Sequence, residues 1–344
     1  MKIRPTPTQL AVAALLAVPA LGFAQSSVQI YGLVDAAARY ATNASPGGGH
    51  LYSLNDGAFT GSRLGFKGQE DLGDGLKAIF ALEMGLDPST GTFTQTTATA
   101  NFGNSATTRA FGREAWVGLS SPTFGVVQLG RQYTLAHTLS TRFQPLTNPN
   151  QDSLSVFSGH HIARQDNMIK YSKQFGGANF IASVTGNEGN GKGYAIGGGY
   201  TTGPFDVVAY AERMDTANGL DTRKIWGTGG SYAVTSSLKA YLGYMRQSQK
   251  ATPQVNQVGT AALSWFVIPT LQLTAVYTQD HQANVAAAGN RKMAVLAADY
   301  FFSKRTDVYV EVDQNRLTGT FPLPAFMATR NNQKGIDFGI RHWF

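Results

Sequence analysis

The side chains with the greatest capacity for chemistry in this 344-residue sequence are cations. Arg63 lies on the opposite face of its run from Leu64 and Phe66, if the run is extended. Arg113 shares the face of Ala115 and opposes Trp116, and Arg164 opens the run that follows a long gap in the pattern. Lys67 stands on the face of Arg63 and extends it. Permanent cations gathered on one wall do electrostatic work: they attract anions and repel cations. A charge about 6 Å from a passing ion is worth roughly 0.7 kcal/mol at water-like dielectric. Three such charges reach about 2 kcal/mol before salt screens them over a Debye length of about 10 Å. That biases small ions several-fold without trapping them.

Other chemistries are poorly provided for. The chain has no cysteine, so no disulfide framework exists. No Gly-x-Ser-x-Gly element is present, and His50, His137 and His281 fall between strand-like runs with no nucleophile motif nearby. His160 and His161 are adjacent, which is not metal-ligand spacing. No catalytic group, metal or cofactor is expected.

The elements that would position the cations read as strands. In residues 28–40 the even positions are apolar or aromatic, whereas Gln29, Asp35 and Arg39 occupy odd ones. Leu238, Ala240, Leu242 and Tyr244 alternate in the same way, as do Leu271, Leu273, Ala275 and Tyr277, and Val308, Val310 and Val312. A soluble sandwich also alternates. Here the runs are long, about 10 to 13 residues, which suits a tilted crossing of a bilayer. Short connections (70–75, 120–125, 176–177, 202–204) alternate with long ones (43–58, 88–110, 133–163, 317–332). Aromatic residues recur at run ends (Tyr40, Phe66, Trp116, Tyr244, Tyr277, Phe302), as interfacial girdles require.

Sixteen runs are counted, centred near 34, 64, 81, 116, 128, 169, 182, 197, 209, 229, 242, 262, 275, 297, 310 and 339. The glycine-rich run near 197 has the weakest register. The expected fold is all-β: a 16-stranded antiparallel transmembrane β-barrel with short periplasmic turns and long extracellular loops, wide enough for an aqueous channel.

Residues 133–163 are too long for a structureless connection unless they serve a function. They are expected to fold into the lumen as a constriction loop. Tyr133, Phe143 and Phe157 would narrow the passage or anchor the loop to the wall. The loop carries one arginine, Arg142, and one acid, Asp152; its histidines are mostly neutral at pH 7.

At the N-terminus, Lys2 and Arg4 precede an apolar stretch at 10–17 and small residues at 22–24. Residues 1–24 are therefore expected to be a cleaved signal peptide, with the barrel at 25–344. Removing them lowers the formal charge from +7 to +5. The remainder has no run of about 18 apolar residues, so no transmembrane helix is expected. The pI of about 9.5 comes without a basic cluster, so nucleic acid is not an expected partner.

Several stretches resemble one family. Val28-Gln29-Ile30-Tyr31-Gly32-Leu33-Val34-Asp35-Ala36 is similar to its first strand. Ser62-Arg63-Leu64-Gly65-Phe66-Lys67-Gly68-Gln69-Glu70-Asp71-Leu72-Gly73-Asp74-Gly75 resembles its second hairpin. Arg113-Glu114-Ala115-Trp116-Val117-Gly118-Leu119 and Gly130-Arg131-Gln132-Tyr133 resemble its fourth and fifth strands, and Arg164, Asp166, Asn167 and Tyr171 its sixth. Gly339-Ile340-Arg341-His342-Trp343-Phe344 resembles its terminal strand. The family is the trimeric general porins of Gram-negative outer membranes, in their betaproteobacterial branch.

The resemblance implies a homotrimer in the cell outer membrane, surrounded by lipid and lipopolysaccharide, passing small anionic or neutral solutes by passive diffusion. It assigns the lumen arginine cluster of the pore constriction to Arg63, Arg113 and Arg164, to which the reading of the residues adds Lys67, Asp152 and Tyr133; Arg131 is held outside this set, with a place near a subunit contact as its alternative. Phe338, Ile340 and Phe344 share one face of the last strand and resemble the signal read by the outer-membrane insertion machinery. Two alternatives stand beside an anion-preferring diffusion channel: a substrate-selective channel for phosphate or organic anions with a saturable site, and an outer-membrane barrel enzyme.

Overall fold

Gly32 and Phe344 exchange two backbone hydrogen bonds, each 3.1 Å, and so join the first strand of the chain to its last residue. The computed structural model describes residues 27–98, 101–145, 156–157, 159–286 and 288–344; the expected signal peptide and Asp152 lie outside these.

The wall opens with β1 (Ser27–Ser45), β2 (Gly49–Asp56), β3 (Arg63–Gly73), β4 (Leu76–Asp87), β5 (Thr92–Thr94) and β6 (Glu114–Ser121). It continues through β7 (Gly125–Tyr133), β8 (Arg164–Phe175), β9 (Ala178–Thr185), β10 (Lys192–Thr202), β11 (Phe205–Asp215) and β12 (Thr222–Ala233). β13 (Leu238–Gln249), β14 (Val255–Ile268), β15 (Leu271–Ala283), β16 (Gly289–Phe301), β17 (Thr306–Gly319) and β18 (Asn332–Trp343) complete it. The pairings are antiparallel, and β18 pairs with β1 to close the sheet. Closure matters in lipid, where an unpaired strand edge has no water to satisfy it.

These strands occupy sixteen wall positions. β2 and β3 pair end to end with β1, and β5 and β6 with β4. All sixteen expected centres fall within strands. β2 and β5 are additions, inside connections read from the sequence as loops. Outward positions are apolar: Val28, Ile30, Leu242, Leu296 and Phe338 are all exposed on the barrel's exterior. Inward positions carry the polar side chains, Asp35, Arg39, Glu311 and Asp337 among them. That is the inversion of a soluble protein that a lipid solvent demands.

The connection at 133–163 begins with a helix, α1 (Leu135–Ser140), and a 3₁₀ turn, Thr141–Phe143. Thr134 caps α1 by accepting from the His137 amide, and Leu135, Ala136 and Leu139 are buried against the wall. The base of the loop is pinned: the Thr134 amide donates to the Ala163 carbonyl and its hydroxyl to the Ile162 carbonyl. The loop then lies along the inner face of β9–β15. Ala136 N donates to Glu212, Arg142 pairs with Asp206, and His160 reaches Asp280 on β15 at 2.6 Å.

Glycines on the wall make room for it. A Cβ at Gly197 would stand 2.7 Å from Leu139, and one at Gly243 would stand 2.2 Å from the Phe143 ring. The glycine run near 197 is therefore a seat for the loop, which explains its weak alternation.

Candidate functional site

Arg63, Arg113 and Arg164 come from three separate segments and converge on the lumen side of β3–β8. Tyr133, at the end of β7, ties two of them together. Its hydroxyl accepts from Arg113 Nη2 at 2.7 Å and from Arg164 Nη2 at 2.8 Å. The Arg164 guanidinium also lies over the Tyr133 ring, 4.4 Å from its centroid. Tyr133 therefore orients the arginines. Phe143 and Phe157 anchor the loop, in contact with each other and fully buried in the cluster between loop and wall.

The wall also holds acids that strand alternation alone did not reveal. Arg113 Nε donates to Glu83 Oε1 at 2.6 Å, and Arg63 Nη1 lies 3.9 Å from the same oxygen. Tyr31 donates to the other oxygen of Glu83 at 2.9 Å. It reaches across β3 because the intervening residue is Gly65, where a Cβ would stand 2.4 Å from the Tyr31 ring. Glu114 pairs with Glu83 across β4 and β6. The hairpin register, which pairs Gly65 with Glu83, was the signal that placed Glu83 beside Arg63.

Two positions correct the sequence reading. Val117 and Leu119 are exposed on the outer face, so by alternation Ala115 faces outward and Trp116 inward, the reverse of the expectation. Trp116 is thus no part of an outer girdle. Arg113 enters the lumen because it precedes β6 and escapes its alternation. Lys67 is not in contact with the arginines. Its Nζ lies over the Tyr31 ring at 4.9 Å, one residue removed from Glu83. Lys170 is nearer, with Nζ 3.3 Å from the Tyr133 carbonyl. Arg131 pairs with Asp166 at 2.7 Å, and Arg109, from the β5–β6 connection, holds the same carboxylate at 2.8 Å.

His137 stacks on the Tyr133 ring at 4.8 Å and meets His161 through Nδ1···Nε2 at 3.0 Å. Burial holds the His161 pKa down to about 3, with His160 adding to the effect. Burial likewise holds His137 well below 6.5, reinforced by His161, Arg164, Arg113 and Arg63. Both are neutral at pH 7, so these two histidines add no charge beside the arginines. The adjacent pair does not converge: His160 goes to Asp280 and His161 to His137.

A second charged wall lies on β16, β17, β18 and β1, but it is covered. Arg341 pairs with Asp299 and Asp307, and Arg39 with Asp313 and Asp337. Phe59 stacks on Tyr309 at 3.8 Å, and the Thr60 amide donates to Asp35. The segment at 57–62 thus packs against Asp35, Tyr309 and Arg341 on this wall, whose acids are all buried.

The chain resembles known proteins over nearly its full length. The family model described as Gram-negative porin matches residues 11–320. Outer membrane porin protein 32 of Delftia acidovorans is 28% identical, covering 96% of this chain and 98% of that one. An outer-membrane porin of Bordetella pertussis is 29% identical, over 70% of this chain and 69% of its own. Among solved structures, the anion-selective porin from Comamonas acidovorans superposes with a TM-score of 0.77 at 23% identity, covering 93% of this chain and all of that one. The trimer form of OmpT from Vibrio cholerae gives 0.66 at 16% identity, over 93% of this chain and 99% of that one. With a closed barrel of sixteen wall positions and a lumen loop in place, the chain belongs to the Gram-negative porins, channels of the outer membrane.

Proposed function

We propose that this porin passes small hydrophilic solutes passively and prefers anions. The observation that carries this is the convergence of Arg113 and Arg164 on one uncharged hydroxyl, with Arg63 beside them. Four cations, Arg63, Arg113, Arg164 and Lys170, stand there against two carboxyl groups, Glu83 and Glu114. A surplus of about two charges on a water-filled wall gives a bias near 1 kcal/mol, or several-fold. The anion-selective porin from Comamonas acidovorans, which shares this fold, supports the direction. Reversal potentials across a planar bilayer in a potassium chloride gradient test it; potassium preferred over chloride would sink it. Conductance that saturates with phosphate or a dicarboxylate would move the reading to a substrate-selective channel.

The reading also includes a homotrimer, supported by the trimeric form of the Vibrio porin and by the apolar exterior of the wall. Native mass measurement in mild detergent checks it, and a monomer would overturn it. Residues 1–24 are read as removed on export, which N-terminal sequencing of the mature protein checks. Phe338, Ile340 and Phe344, all exposed on the outer face, are read as the insertion signal. No enzymatic role is proposed.

A further inference from the structure

Trp116 stands on the inner side of the arginine wall and takes no part in holding the arginines. Alternation turns it inward, and it is half-buried. The ring is pinned at one point, where Nε1 donates to Glu114 Oε1 at 3.3 Å, two residues back along the same strand. The surface around it is low. Its cross-strand partners are Ala81 on β4 and Gly130 on β7, and the next inward residue of β6 is Gly118. An indole set among residues with so little side chain keeps ring area for a solute.

The other rings of this part of the lumen are already in use. Tyr133 meets the Arg164 guanidinium at 4.4 Å and the His137 ring at 4.8 Å. Tyr31 carries Lys67 Nζ at 4.9 Å, and Phe102 carries Arg223 at 4.7 Å. Among the described residues, no ring stacks on Trp116 and no cation lies over it.

Cations stand beside it. Arg113 precedes Trp116 by three residues, about 10 Å of extended chain. Lys170 is level with Gln128, and its Nζ reaches to 3.3 Å from the Tyr133 carbonyl. It therefore passes the level of Gly130, the residue that faces Trp116. Glu114, bonded to the indole, disfavours negative charge at the ring itself. A solute suited to both features carries its ring at Trp116 and a single negative charge displaced toward the cations.

We propose that Trp116 forms a transient stacking subsite for planar aromatic monocarboxylates, with the carboxylate turned toward Arg113 and Lys170. Aromatic pairs gain from offset or edge-to-face contact beyond the area they bury. The subsite therefore favours an aromatic anion over a saturated one of equal charge and similar size. Its hold is weak enough for release, as conduction requires. The inference rests on the reading of this wall as the anion-preferring part of the channel.

The test uses the full-length porin in a planar bilayer, with phenylacetate and its saturated counterpart cyclohexylacetate as probes. Each is titrated into potassium chloride while single-channel current is recorded, and the half-blocking concentration is read. Phenylacetate should block the parent at about one tenth of the cyclohexylacetate concentration, the equivalent of about 1.4 kcal/mol for one stacked pair. Trp116→Leu should bring the two probes together. Benzylammonium, the same ring on a cation, should block far more weakly than phenylacetate.

Equal block of the parent by phenylacetate and cyclohexylacetate would overturn the proposal, as would a Trp116→Leu channel that still separates them. Benzylammonium as effective as phenylacetate would overturn it too, since the ring would then bind without help from the cations. If Trp116→Leu does not assemble, Trp116→Phe carries the test: its smaller ring should narrow the gap between the probes, and a gap as wide as the parent's would overturn the proposal. Reversal potentials on the same bilayers separate this inference from the channel reading. Chloride preferred over potassium, with the two probes blocking alike, would fault the subsite alone. Potassium preferred, with phenylacetate still set apart by Trp116, would fault only the anion preference.

Discussion

Arg113 and Glu83 form a 2.6 Å ion pair inside the arginine cluster, and both are buried. The cluster is thus a partly compensated wall, in which one guanidinium is held by an acid and the remaining cations set the surplus. The strength of ion preference follows from this pair as much as from the arginines.

Glu83→Gln removes one negative charge while keeping a hydrogen-bonding side chain. The surplus rises by one, and the chloride-to-potassium permeability ratio should rise about threefold, the equivalent of roughly 0.7 kcal/mol. Reversal potentials read this directly. An unchanged ratio would show that Glu83 is screened from passing ions.

Arg164→Gln works in the opposite direction. It removes a cation that stacks on Tyr133 and is not paired with Glu83. Chloride preference should fall about threefold at low salt and converge on the parent at 1 M, where the Debye length shrinks to about 3 Å. A loss that persists unchanged at 1 M would point to altered pore shape.

Gly243→Ala tests the seat of the loop. Its Cβ would meet the Phe143 ring at 2.2 Å, so either the ring or the strand must shift. The expected cost is about 1–3 kcal/mol, seen as a lower unfolding temperature. Single-channel current should become noisier as the loop loosens. Gly259→Ala, with open space around the added atom, serves as the control.

Acid should loosen the same loop. The native pKa values of His137 and His161 lie below the unfolded value of about 6.5. The folded chain therefore binds fewer protons than the unfolded one, and the contribution of these histidines to stability is complete above pH 6.5. It is lost as pH falls toward the His161 value of about 3. Protection factors for amide hydrogen exchange at 134–145, taken against the intrinsic rate at each pH, should fall between pH 7 and 4.5, and His161→Asn should flatten the response.

The barrel was legible because lipid outside and water inside impose a strict period of two on most strands. Where the pattern failed, a physical cause is visible. Gly197 and Gly199 gave no alternation because Leu139 and Arg142 occupy the space their side chains would fill. α1 is only six residues long and is held by Glu212 and the wall, too short for a helical period to show. The arginines were found, although Arg113 reaches the lumen from outside the strand whose alternation was used to place it. Glu83 was missed because its neighbourhood is set by the hairpin register, which shifts between Asp71 and Gly73.

The bond between Gly32 and Phe344 has a kinetic meaning. β1 pairs with β18 across almost the whole chain, so its edge stays open until β18 is available. Contacts of such sequence separation form slowly, since the entropy of closing the chain must be met before they give anything back. A chain shortened by its last residue loses the Phe344 ring that covers Gly32, along with both closing hydrogen bonds. The wall can therefore be completed only once β18 is in place, and until then the β1 edge that it covers stays unpaired.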